Sequence, residues 1–266
     1  MSETAFAASP VAPLDLGVIE SELDGGLARR AAIGLVVLAS DQTLEHEFRE
    51  LIRIPGVAFY ESRVFNDNEI NPETLRAIGP RIAPSLDLIL PGVPLDVVGF
   101  GCTSATMTLG ESAVFAEIRR ARPGVACTTP VTAALAAFRA LRARRIGLLT
   151  PYSRRVNDNL VRYFESRGIG VAAIATFDRP DDREAARISL DSVEKGAARL
   201  ATAPGVECVF VSCTSLRVAA AVERIEARTG VSVTSSNHAM AWHCLRLGGV
   251  DDRVEGAGKL FGLSAR

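Results

Sequence analysis

The sequence predicts an α/β protein of two pseudo-symmetric lobes, each a mostly parallel four-stranded sheet flanked by helices. Three observations carry this. Continuous apolar, β-branched runs such as residues 31–39 alternate with stretches of helical spacing, as expected of central parallel strands covered on both faces. A Cys-Thr-Ser triplet closes such a run twice, at Cys102-Thr103-Ser104 and Cys213-Thr214-Ser215, 111 positions apart (residues 102 and 213). Ile33-Gly34-Leu35 returns as Ile146-Gly147-Leu148, 113 positions on (residues 33 and 146), and Thr-led turns into Ala-rich helices recur at 128–141 and 234–247. Landmarks at nearly one offset indicate duplication, which places an active site between the halves.

Taken in order, residues 1–24 read as a flexible N-terminal arm. The first lobe is expected over 25–143, with 234–266 returning to it, and the second over 144–233. The strand at 31–39 runs into Ser40-Asp41-Gln42-Thr43 and a helix at 44–52 with Glu45 and Glu47 in its first turn. A second strand is expected at 57–61, then a helix from Asn71 to about Ile89 that Pro80 and Pro84 must kink or divide. The Cys102 strand is next, then a helix at 110–120, a short strand at 125–128, and a helix at 131–141 with Pro130 near its start. The second half repeats the pattern: strand 145–150, helix 153–167, strand 170–176, a polar turn at 178–182 and one long helix at 183–200. The Cys213 strand then leads directly into a helix at 216–229. A strand at 231–233 and a helix at 238–247, capped by Ser236-Asn237, complete it.

Composition narrows the function classes. In 266 residues, 48% are hydrophobic and the net charge is −1, enough apolar content for a large core and no general attraction for nucleic acid or an anionic membrane. No apolar run reaches the length of a membrane span, and no signal peptide is evident. Five cysteines without a CxxC or a histidine at ligand spacing argue against a disulfide framework or a zinc site and suit a reduced cytoplasmic setting. Cys127, Cys208 and Cys244 lie in apolar stretches and read as buried small hydrophobes.

Cys102 and Cys213 differ in ending their apolar runs, each with Thr-Ser directly after it. A thiol where a strand meets a helix sits where open α/β sheets place their chemistry, and helix N–H groups there favour negative charge on a thiolate or a carboxylate. Two thiols on opposite faces of a substrate can remove and return a proton, or add to a double bond, with no cofactor. Thr103, Ser104, Thr214 and Ser215 either hold carboxylate oxygens, cap helices, or do both. In the turn with Ser40, Asp41 either caps the next helix or faces the substrate. In the second case it favours an ammonium or amide over a bare carboxylate, since two like charges about 4 Å apart repel by roughly 4 kcal/mol at an effective dielectric near 20. Tyr152, in the Thr150-Pro151-Tyr152-Ser153 turn, either donates into the cleft or packs at the lobe interface. Among the histidines only His238, at a helix start, is a candidate. The Gly99-Phe100-Gly101 motif lacks the third glycine of a dinucleotide fingerprint.

These motifs, with Leu149-Thr150-Pro151-Tyr152, residues 211–217 (VSCTSLR) and 236–248 (SNHAMAWHCLRLG), resemble the aspartate/glutamate racemase superfamily over about 33–249, and within it maleate cis-trans isomerase and the ectoine-utilisation protein A group. The resemblance implies two α/β lobes, no cofactor, and Cys102 as nucleophile with Cys213 as acid. Arylmalonate decarboxylases are also similar but usually keep only the second cysteine. Where maleate isomerases carry carboxylate-binding asparagines, this chain has Asp41 and, by a looser match, Asp182. The expected function is therefore a cofactor-independent isomerase or racemase of a small amino or dicarboxylic acid, in ectoine catabolism by resemblance. Maleate isomerisation, an arylmalonate decarboxylase-like activity and a non-catalytic acid-binding protein are the alternatives. A homodimer or higher homo-oligomer is expected, without nucleic-acid or membrane partners.

Overall fold

The computed structural model describes residues 13–67, 72–179 and 181–265. Its elements run β1 (Ala31–Leu38), α1 (Leu44–Leu51), β2 (Val57–Val64), α2 (Pro72–Arg76), α3 (Gly79–Asp87), β3 (Val97–Gly101), α4 (Thr103–Leu109), α5 (Glu111–Ala121), β4 (Ala126–Thr128) and α6 (Pro130–Ala140). Then come β5 (Arg145–Thr150), α7 (Arg154–Glu165), β6 (Gly170–Thr176), α8 (Asp182–Ala185), α9 (Leu190–Ala201), β7 (Cys208–Val211), α10 (Val222–Thr229), β8 (Ser232–Ser235) and α11 (Ser236–Leu247).

The strands form two four-stranded sheets with one connectivity, β2-β1-β3-β4 and β6-β5-β7-β8. Every described pairing is parallel. The repeated Ile-Gly-Leu lies in the second strand of each order, β1 and β5, and the two cysteine motifs come after the third, β3 and β7. All eight residues of β1 are buried, which is why it reads as an unbroken apolar run.

Close approach rather than phosphate binding explains Gly99 and Gly101. A Cβ on Gly101 would lie 2.3 Å from Leu44 Cδ2 of α1, and one on Gly99 2.5 Å from Met240 Cε of α11. The two helices therefore press onto the end of β3 that delivers Cys102. Helix α11 packs along α6 and α1 and contributes Met240, Trp242 and Leu245 to the core shared with β1.

Several elements differ from the sequence expectation. The helix expected from Asn71 is divided in two, with Pro80 in the first turn of α3 and Pro84 inside it; position 71 lies outside the described residues. A separate short helix, α4, precedes the one expected at 110, and Gly110 at φ +87° makes the break. The expected long helix at 183–200 is two, because Ser189 starts α9 afresh, its hydroxyl accepting from Ser192 N. The cap of α11 is Ser235, which accepts from His238 N, so Ser236 and Asn237 are already helical and free for other work. Of the expected N-terminal arm, 1–12 lie outside the described residues, and 13–24 are exposed with no helix or strand. Among the described residues no helix is long and apolar enough to cross a membrane.

Candidate active site

Both cysteines reach one pocket at the strand ends where the lobes meet. Its cavity of about 130 Å³ is lined by Cys102, Thr103 and Ser104 from the first lobe and by Tyr152, Ser153, Asp182, Cys213 and Thr214 from the second. Leu38 at the end of β1, with Asn66, Asp67, Thr74, Leu75, Ile78 and Val156, completes the wall, and no sequence motif marks the last six. Thr103, Ser104, Tyr152 and Ser153 also line an adjoining cavity of about 600 Å³.

The two thiols are held differently. Cys102 is the N-cap of α4: its Sγ accepts from Ala105 N at 3.3 Å and lies 3.7 Å from Ser104 Oγ. Cys213 is not at a helix start. The chain turns there with Cys213 at φ +131°, a conformation L-residues rarely adopt, and the expected helix at 216 is delayed to α10 after a 3₁₀ turn at Ala219–Ala221. The repeat is thus symmetric in sequence and asymmetric in backbone.

Both thiols are nearly inaccessible, 3% exposed at Cys102 and 4% at Cys213. Burial pushes Cys102 up to about 11 against the opposing Ala105 N–H and Ser104 hydroxyl, with the Asp182 and Asp41 charges adding to the rise. Burial, then the Asp182 charge, pushes Cys213 up to about 12 against the Ser215 N–H and the Tyr152 phenol. At both sulfurs desolvation outweighs the N–H donors, which leaves the substrate-carboxylate alternative of the sequence reading open.

Asp41 and Asp182 occupy distinct positions. Asp41 caps α1 and, like Ser40 and Ser215, lies outside the pocket lining, so of the two readings of its turn only the cap is seen. Its Oδ1 accepts from Thr43 N and Leu44 N, each at 2.8 Å, capping α1, while its buried Oδ2 makes no hydrogen bond of ordinary geometry. Asp182 accepts from Ser40 Oγ and Ser215 Oγ, both at 3.3 Å, so one hydroxyl from each lobe holds it. Ser40 is itself fixed by Asn66 Nδ2 at 2.9 Å. Burial raises both carboxyls above their ordinary range.

Tyr152 is set by its backbone. Its carbonyl accepts from Asn157 Nδ2 at 3.1 Å and Thr176 Oγ1 at 2.6 Å, and its phenol faces Cys213. Thr103 Oγ1 is buried with no hydrogen-bond partner, an orphan hydroxyl in the pocket wall. Ser215 spends its hydroxyl on Asp182, and its carbonyl accepts from Thr43 Oγ1 at 2.9 Å.

His238 is a core residue: its Nε2 donates to Ala257 O at 2.8 Å, and Nδ1 meets Thr234 Oγ1 at 3.0 Å. Cys127, Cys208 and Cys244 are buried outside the pocket lining. Among the described residues no cluster of His, Cys, Asp and Glu side chains is set to hold a metal ion.

The family model for arylmalonate decarboxylase matches residues 107–261, more than half of the chain. A maleate isomerase of Nocardia farcinica is 29% identical over 86% of this chain and 94% of its own length. A structure of the Nocardia farcinica maleate cis-trans isomerase, a cysteine-to-serine mutant with a covalently bound succinylcysteine intermediate, superposes with a TM-score of 0.76 at 27% identity, covering 87% of this chain and 98% of that one. Unliganded arylmalonate decarboxylase gives a TM-score of 0.68 at 26% identity, covering 87% of this chain and 98% of that one. The chain belongs to the arylmalonate decarboxylase family, in the Asp/Glu racemase-like fold group that also holds the maleate isomerases.

Proposed function

We propose that this chain is a cofactor-independent, cysteine-based isomerase that racemises a small amino or N-acylated amino acid, with Cys102 and Cys213 acting from opposite faces. The observation that carries this reading is the convergence of both thiols on one small cavity with Thr103, Ser104, Tyr152, Thr214 and Asp182 in its wall. The substrate carboxylate takes the Thr103 hydroxyl, otherwise without a partner, together with Ser104, Thr214 and Tyr152. Its ammonium or amide faces Asp182, with Asp41 behind. A cation there offsets the carboxylate charge that helps hold the thiols up, so binding favours loss of one thiol proton to solvent. The resulting thiolate removes the α-proton and the opposite thiol returns its own, leaving the pair with one proton between them and the roles exchanged.

An acylated diamino acid of ectoine catabolism fits this substrate class, as an amino acid derivative with both a carboxylate and an amide. Maleate isomerisation is the second reading, favoured by the relatives of that name. The buried Asp182 carboxyl in the pocket wall weighs against a dicarboxylate, since a second anion about 4 Å from it is repelled by roughly 4 kcal/mol at an effective dielectric near 20 unless Asp182 is protonated.

The test is α-hydrogen exchange in deuterated water with aspartate, maleate and N-acetylated diaminobutyrate, followed by mass spectrometry, on wild type, Cys102→Ala and Cys213→Ala. Exchange of an amino acid lost in either variant is the expected result. Exchange undiminished in both variants overturns the two-thiol reading, and conversion of maleate to fumarate without α-exchange of any amino acid replaces it with the second.

A further inference from the structure

The most deeply buried carboxylate outside the pocket lining is Glu47, on α1, and it touches the loop that carries Cys213. Its Oε1 accepts from Val218 N and from Ala219 N, the latter at 2.6 Å. Its Oε2 accepts from Asn237 Nδ2 at 2.8 Å, and the same amide nitrogen donates to Thr214 O at 2.8 Å. Two more contacts complete the clamp: Cys213 N donates to Ser236 Oγ at 3.1 Å, and Thr43 Oγ1 to Ser215 O at 2.9 Å. Residues 213–219 come after a strand of the second sheet. They are gripped at both ends by α1, which packs with the first sheet, and by the start of α11.

The grip matters because the backbone at Cys213 is strained. A φ of +131° is unfavourable for an L-residue, and such a conformation persists only where the surroundings over-determine it. The 213–219 loop has no helix of its own to fix it until the turn at Ala219, so the constraint comes from side chains. Glu47 accepts three hydrogen bonds and Asn237 Nδ2 donates two, while the Asn237 Oδ1 is buried without a partner. Burial raises Glu47 to about 7 against these donors, so it is ionised at pH 9; a neutral amide in its place would set a donor against the donors already there.

We propose that Glu47, through Asn237 and the Val218–Ala219 backbone, is the positioning residue that holds Cys213 and Thr214 against Cys102 across the lobe interface. The proposal rests on the reading of Cys213 as a reacting thiol. Glu47 touches neither substrate nor sulfur, so its loss acts on the geometry of one half of the site. Cys102, held by its own cap in α4, serves as an internal control within the same molecule.

The experiment compares the rates at which iodoacetamide labels Cys213 and Cys102 at pH 9, by peptide mapping, in wild type, Glu47→Gln, Glu47→Asp and Asn237→Ala. The expected result is a Cys213:Cys102 ratio changed about tenfold or more in Glu47→Gln and Asn237→Ala, with partial return in Glu47→Asp. With any acid that turns over, kcat falls by a similar factor and KM stays within about twofold. Folded variants with an unchanged ratio overturn the proposal. Should the substitutions prevent folding, hydrogen exchange on the wild-type chain decides it: Val218 and Ala219 amides must rank among the slowest, and rapid exchange there overturns the clamp. Full activity in Cys213→Ala refutes the reading of Cys213 and is distinguishable from failure of the clamp, in which Cys213→Ala is inactive while Glu47→Gln is unaffected.

Discussion

The Ser40 hydroxyl donates to Asp182 Oδ2 at 3.3 Å, joining two residues 142 positions apart in the sequence. One belongs to the turn after β1 and the other to the first turn of α8, so this contact closes the pocket across the lobe interface. It also fixes a negative charge where both thiols feel it.

Removing that charge should activate the sulfurs. In Asp182→Asn the Asp182 contribution to the raised thiol pKa values disappears, so Cys213 and Cys102 label with iodoacetamide faster than in wild type at pH 8, by roughly threefold to tenfold. The same variant should bind dicarboxylates more tightly and amino acids more weakly, measured by competition against labelling. Unchanged rates and unchanged preference would show that Asp182 is protonated in the free protein.

The wild-type thiols should be slow. With Cys102 pushed up to about 11 and Cys213 up to about 12, the thiolate fraction at pH 7 is minute, and labelling should climb about tenfold per pH unit between pH 7 and 10. Cys102 should lead Cys213, and Cys208 and Cys244, pushed still higher by burial, should stay unlabelled in the folded protein. A plateau below pH 8 at either sulfur contradicts this order.

Acid stability should depend on His238. Burial lowers its folded pKa to about 4 from 6.5, so the neutral ring contributes stability that is present above about pH 6.5 and lost as pH falls toward 4. A fully buried ring shifted this far is worth about 3 kcal/mol at most. Urea midpoints for wild type and His238→Asn at pH 7.5 and pH 4.5 test this: the variant should be weaker at pH 7.5, and the gap should narrow at pH 4.5. A constant gap assigns the loss to packing alone.

Gly101→Ala should be destabilising. The new methyl would meet Leu44 Cδ2 at 2.3 Å, and overpacking of this kind costs about 1–3 kcal/mol. For a chain of this size the melting temperature falls by about 2–4 °C per kcal/mol. Pairing it with Leu44→Ala, which vacates the space, should recover part of the loss, and strict additivity in the double variant rules out the contact as the cause.

The fold was legible because its signal is local. Buried parallel strands such as β1 and β5 must be apolar throughout, and duplication writes the same strand and the same Cys-Thr-Ser twice, so the paired lobes and the two cysteines could be read from residues close in sequence. The breaks at Gly110 and Ser189 were harder, since a helix pattern continues across a cap that only its hydrogen bonds reveal. Glu47 left a trace as an acid on the apolar face with Leu44, Phe48 and Leu51, but nothing in α1 names its partners 171 to 190 positions away. Local sequence thus dictated which side chains could do chemistry and at which strand ends they stand. Their behaviour was settled in three dimensions: how far burial raises the thiols, which oxygen of Asp41 is free, and how Cys213 is held at φ +131°. Desolvation, orphaned polar atoms and backbone strain are properties of surroundings assembled from distant parts of the chain, and no local pattern encodes them.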